Sequence, residues 1–117
     1  MTSIGKVPDY IELLSFFEST PFLSDEQDHR FGYSYTDSNG VKLIFSYAVL
    51  EGWIQTIIEF NGNIISQHLS EEVTRFEIRT ETQGGFLYSK IDSFSSVTRM
   101  EIRLKPQISV KWNTLLK

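Results

Sequence analysis

The chain has 117 residues, 40% of them hydrophobic, with nine Phe, five Tyr, two Trp and no Cys, and a net charge of −4. That length is one domain able to bury roughly two-thirds of its unfolded surface, and the lack of thiols excludes disulfides and thiolate metal sites. No apolar run reaches the length of a membrane span or a signal-peptide core, so a single domain over 1–117 in the cytoplasm is expected.

Met1 to Val7 reads as a short lead-in. A helix is predicted over 8–19. Pro8 suits a first helical position, Asp9 and Glu12 place negative charge near its start, and Tyr10, Leu13, Leu14 and Phe17 repeat at helical spacing. Pro21 disfavours continuation through Thr20. Phe22-Leu23 is expected to tuck against the core, and Ser24 to Asp28 to form an exposed acidic loop.

The β-rich region spans about 29–113. From Arg30 the period becomes two. Phe31, Tyr33 and Tyr35 alternate with small and polar residues, Asp37-Ser38-Asn39-Gly40 signals a hairpin turn, and Val41, Leu43, Phe45 and Tyr47 return. Glu51-Gly52 reverses the chain again. Trp53 to Phe60 is apolar on both parities, a pattern of strands covered on two faces, and the helix is the expected second cover. Asn61-Gly62-Asn63 turns into Ile64–Leu69, which ends at Glu71-Glu72.

One heptad then appears twice. Val73-Thr74-Arg75-Phe76-Glu77-Ile78-Arg79 recurs as Val97-Thr98-Arg99-Met100-Glu101-Ile102-Arg103, with one substitution. Two copies do not make a solenoid. As strands they present Phe76, Ile78, Met100 and Ile102 to a core and Arg/Glu to solvent. Glu77 and Glu101 interrupt the arginines, so the ridge is too weakly positive for nucleic acid. Between the copies lie Gly84-Gly85, a short strand Phe86-Leu87-Tyr88 and a polar link over 92–96. Pro106 interrupts the ladder, Ile108, Val110 and Trp112 form a last strand, and Thr114 to Lys117 is a tail. The sum is an α+β fold: a mostly antiparallel β-meander of seven or eight strands, sandwich or half-barrel, with one N-terminal helix packed on the sheet.

Catalytic signatures are absent. His29 and His68 belong to no metal-binding spacing, no nucleophile elbow occurs, and Gly84-Gly85 is not followed by the Lys-Ser/Thr of a phosphate loop. The expectation is therefore a protein without catalytic residues, metal or cofactor. Charge is uneven: residues 1–59 carry −6 and residues 60–117 carry +2, which points to an acidic side.

The short helix, the aromatic hairpin Phe31–Tyr47 and the meander ending Pro106-Gln107-Ile108-Ser109-Val110-Lys111-Trp112-Asn113-Thr114-Leu115 together resemble the small immunity proteins of bacterial polymorphic toxin systems. Those of contact-dependent growth inhibition are the most similar group. The resemblance covers the style of most of the chain and carries over no individual residue. It implies a cytoplasmic protein that binds and neutralises a cognate toxin, expected to be a nuclease domain, by occluding a basic active-site surface, without contacting nucleic acid or membrane itself. For such a contact the acidic turns are the candidates: Asp25, Glu26, Asp28, Asp37 and Glu51, then Glu71 and Glu72. The alternative is a non-enzymatic ligand-binding or homo-oligomeric β-module.

Overall fold

The computed structural model describes residues 3–82 and 84–117. It contains one helix and nine strands, one or two strands more than the sequence pattern suggests. Helix α1 runs Tyr10–Phe17. Strands β1 Leu23–Asp25, β2 Arg30–Thr36, β3 Val41–Ala48, β4 Trp53–Phe60 and β5 Asn63–Ser70 form one sheet in that order. Strands β6 Val73–Glu81, β7 Gly84–Asp92, β8 Ser96–Arg103 and β9 Ser109–Leu116 form the other. Every pairing within the two sheets is antiparallel and joins sequence neighbours, as short turns dictate. The two meanders face each other as an open sandwich.

Helix α1 is shorter than its apolar spacing implies. Asp9, not Pro8, sits at its start. The Asp9 carboxylate accepts the Glu12 backbone N–H at 2.8 Å, and the Glu12 carboxylate accepts that of Asp9 at 3.1 Å. This reciprocal capping fixes the first turn. The helix ends at Glu18, whose left-handed backbone (φ 57°) stops it before Pro21 is reached. Leu13 and Phe17 are buried, while Tyr10 and Ile11 remain exposed. Phe17 stacks on Tyr33 (4.9 Å) and Phe45 (5.8 Å). The helix thus plugs one side of the sandwich, between β2 and β6. It does not cover the outer parity of β4, as the sequence led us to expect.

The lead-in is structural from Ile4 onward; Met1 and Thr2 lie outside the described residues. The Ile4 N–H donates to the Val49 carbonyl in the β3–β4 turn at the first sheet's end, and Gly5 N–H to the Thr74 carbonyl in β6. Lys6 bridges Arg75 in parallel. A three-residue strap therefore joins the sheets and covers the β6 edge.

The doubled heptad has a simple geometric reason. Its copies are β6 and β8, and both pair with β7 in matching register. Phe76, Ser89 and Met100 form one inward row, and Ile78, Leu87 and Ile102 the next. Two strands flanking the same partner in the same register meet the same demands at each position. Phe76, Met100 and Ile102 are fully buried and Ile78 packs beside them. A register shift after Val73 turns that residue into the core as well, against simple alternation. β7 is three times as long as its apolar triplet, because Ser89 is buried and donates to the Arg75 carbonyl at 2.9 Å. Thr114 to Leu116 belong to β9 rather than to a tail.

On the outer face of the heptads both carboxylates are paired internally. Glu77 meets Arg79 (3.2 Å), Lys6 (3.6 Å) and Arg75 (3.8 Å). Arg103 meets Glu81 and Glu101. Arg79 and Arg103 also lie over the rings of Tyr88 and Phe86. A Phe76→Ala variant should lose about 3–5 kcal/mol in urea unfolding by leaving a cavity between the sheets, whereas Arg79→Ala should lose about 1 kcal/mol or less.

Candidate functional site

The registers place the acidic residues. Asp25 ends β1 opposite Arg30, which begins β2. Ala48 ends β3 opposite Trp53, and Ser70 ends β5 opposite Ile54. The loops 26–29, 49–52 and 71–72 therefore lie at one end of the first sheet. His29 carbonyl accepts Val49 N–H, and Gly52 carbonyl accepts Val73 N–H, tying the three together. Six of the seven candidates, Asp25, Glu26, Asp28, Glu51, Glu71 and Glu72, lie along this end, with 26–29 at one edge of the sheet and 71–72 at the other.

They are not equivalent. Asp25 belongs to β1, not to a loop, and its carboxylate accepts the Asp28 N–H at 3.1 Å, holding the 26–29 turn. Glu51 is paired with Arg30 at 2.5 Å. The hydrogen bond from Arg30 holds the Glu51 carboxyl below its usual range. The same bond, with added attraction from Asp28 and Asp25, raises the Arg30 guanidinium. Glu26, Asp28, Glu71 and Glu72 are exposed. Among the described residues none of these four carries an ion pair. They supply the outward negative field.

Asp37 is elsewhere and does something else. It sits at the opposite end of the sheet, in the β2–β3 turn, and is 8% exposed. One carboxylate oxygen accepts Asn39 and Val41 N–H groups at 2.9 and 3.0 Å. The other accepts Ile108 N–H at 3.0 Å, 71 residues away. Gly40 closes the turn at φ 83°. Asp37 clasps the two sheets and presents no charge to a partner, so it is withdrawn from the contact set.

Charge divides by sheet. Residues 23–70 carry six acidic and two basic side chains, a net −4; residues 73–116 carry four and seven, a net +3. The halves of the sequence are the two layers of the sandwich.

Neither histidine gathers ligands. His68 lies 4.1 Å from the Trp112 ring and within 3.1 Å of the Ser70 hydroxyl, joining β5 to β9. Among the described residues no three His, Asp or Glu side chains are placed to hold a metal ion, and no helix is long and apolar enough to cross a membrane. An open groove of about 600 Å³ lies between α1 and the second sheet, with Phe16, Ile78 and Leu104 on its floor and Asp9 and Glu12 at its rim. Those two carboxylates are already engaged in the helix cap.

Two features escaped the sequence. Phe22 and Leu23 do not reach the core; both are exposed, and Phe22 lies over Gly32 on the outer face of the first sheet. On that same face, among the described residues, the outward residues of β4 have no second layer above them. The signal was present as the double-parity pattern of Trp53–Phe60, but it was assigned to the helix.

No protein-family model and no curated protein matches the chain. A solved structure does: a chain in a contact-dependent growth inhibition toxin–immunity protein complex from Klebsiella pneumoniae 342 superposes with a TM-score of 0.92. The two chains are 33% identical, over 97% of this chain and 100% of that one.

Asp37 gives a pH-dependent prediction. N–H donors, first Ile108 and then Val41, Asn39 and Gly40, outweigh burial and keep its carboxyl below the usual range. Its contribution to stability is therefore complete above the unfolded value near 4 and is lost as pH falls through the lower folded value. Asp37→Asn should lower the melting temperature by several degrees at pH 7 and flatten its fall between about pH 5 and 2, read by calorimetry across that range.

Proposed function

The chain belongs to the immunity-protein family of contact-dependent growth inhibition systems, and from that premise we propose that it binds a cognate toxin domain and blocks a basic surface at the toxin's active site. The observation that carries this reading is the full-length match to a chain of a toxin–immunity complex. The gathered, unpaired acidic side chains at one end of the first sheet agree with it.

The toxin is a nuclease in this reading. An enzyme that cleaves nucleic acid holds phosphates with Lys and Arg, and a dense set of carboxylates competes for the same groups. Glu26 and Asp28 on the β1–β2 loop, and Glu71 and Glu72 on the β5–β6 connection, are the groups that would take the place of phosphate charges. The protein acts by occupancy, with no reaction of its own. It does so in the cytoplasm, where a nuclease meets its substrate.

The test begins with the product of the neighbouring gene. It should co-purify with this protein, and its toxicity on expression should vanish when both are made. Reversing Glu26 and Asp28 to Lys, and separately Glu71 and Glu72, should slow association about tenfold or more at low salt and converge with the parent protein near 1 M salt. Unchanged rates would move the contact off this end. A neighbour that neither binds nor kills would end the immunity reading.

A further inference from the structure

Rim charges steer an encounter, but exposed ion pairs supply little affinity. Tight inhibition needs a desolvated apolar or aromatic centre. The first sheet offers one, half-buried at Trp53, Ile57 and Ile44 and exposed at Phe22 and Leu69.

On β4, Ile54 and Thr56 point into the sandwich and are buried. Trp53, Gln55 and Ile57 point the other way. The register sets Ile57 opposite Ile44 on β3 and Gln55 opposite Leu69 on β5. Toward the other edge the face is floored by the small residues Ser46, Ser34 and Gly32, with the Phe22 ring resting on Gly32, so close that a Cβ there would stand 2.6 Å from it. The second sheet and α1 both contact the opposite side, through Phe76 on Phe45 and Phe17 on Tyr33. Among the described residues nothing but Phe22 overlies this face. It is a shallow shelf with an aromatic at each end.

We propose that this shelf, with Trp53, Ile57, Ile44, Phe22 and Leu69 as its apolar members, is the centre of the toxin contact. This rests on the toxin-binding reading above and specifies its surface. The occupant is set by charge and continuity. Trp53 follows Glu51 by two residues, so the shelf opens directly onto the acidic end. A partner seated on it must place a basic patch over Glu26 and Asp28 and an apolar patch over Trp53. An active-site surface of a nuclease domain has that composition: cationic where phosphate binds and flat or aromatic where bases stack. A second copy of this chain would set acidic margin near acidic margin, or leave it outside the contact.

Fluorescence reads the shelf directly. In a Trp112→Phe background Trp53 is the lone tryptophan. Adding the toxin domain made by the neighbouring gene should shift its emission to the blue and cut acrylamide quenching several-fold. In the native background, Trp53→Ala with Ile57→Ala should raise the dissociation constant roughly thirtyfold or more. The change should fall in the dissociation rate and be equal at low and high salt, unlike the charge reversals. Circular dichroism checks that the double variant folds; if it does not, the Trp53 emission in the intact shelf decides. Trp53 equally quenched in a complex that the charge reversals still weaken overturns the shelf and leaves the immunity reading standing. Failure of the unsubstituted protein to bind that domain overturns both. Concentration-dependent protection of Trp53 without toxin would assign the shelf to self-association and overturn the proposal.

Discussion

The sandwich depends on a chain of ring contacts running through both layers. Phe17 of the helix stacks on Tyr33 and Phe45, and Phe76 of the second sheet meets Phe45 at 5.6 Å and Tyr47 at 4.8 Å. Within each sheet the strands pair only with their sequence neighbours, so each meander can form its own ladder. Neither can bury its apolar face alone. The rings make that burial mutual, and they come from four elements: α1, β2, β3 and β6. Two polar fastenings secure the arrangement at its margins: the Ile4–Lys6 strap on one side, and the Asp37–Ile108 clasp at the far end.

This division of labour explains the electrostatics. The second sheet pairs its carboxylates internally, with Glu77 and Glu101 each serving more than one basic neighbour and two guanidinium groups lying on aromatic rings. The first sheet leaves its acidic loops largely unanswered. Arg30 neutralises Glu51 and anchors the loop end, but among the described residues four exposed carboxylates carry no ion pair. The repeat that dominates the sequence supplies core residues and paired charges, and the unpaired carboxylates lie at the end of the other sheet.

Much of the fold was legible because its signals are local. Asp37-Ser38-Asn39-Gly40 and Asn61-Gly62 mark turns by their own residues, and the doubled heptad announces two equivalent strands. β1 was not legible: three residues, two of them polar, become a strand only because β2 offers them an edge. β7 was underestimated because Lys90 and the buried Ser89 look like loop. The acidic cluster was found by charge alone, which could not distinguish Asp37. A carboxylate before Asn-Gly reads the same whether it faces water or clasps a backbone N–H 71 residues away. The double-parity pattern of β4 pointed to a second cover from the helix, but α1 packs on the inward side with Phe17 against Tyr33 and Phe45, and local periodicity cannot say which element lies over a given face.

The sequence contiguity of the sheets has an evolutionary corollary. Inward residues of the first meander such as Phe45 and Tyr47 answer to Phe76 of the second, while among the described residues its outward side chains on β3, β4 and β5 meet neither the helix nor the second sheet. Side chains such as Ile44, Gln55, Ile57 and Leu69 can be exchanged without retuning the core, the strap or the clasp. A lineage that must track a changing partner can rewrite one surface at little cost to folding, and two members could diverge in what they recognise while their backbones still superpose.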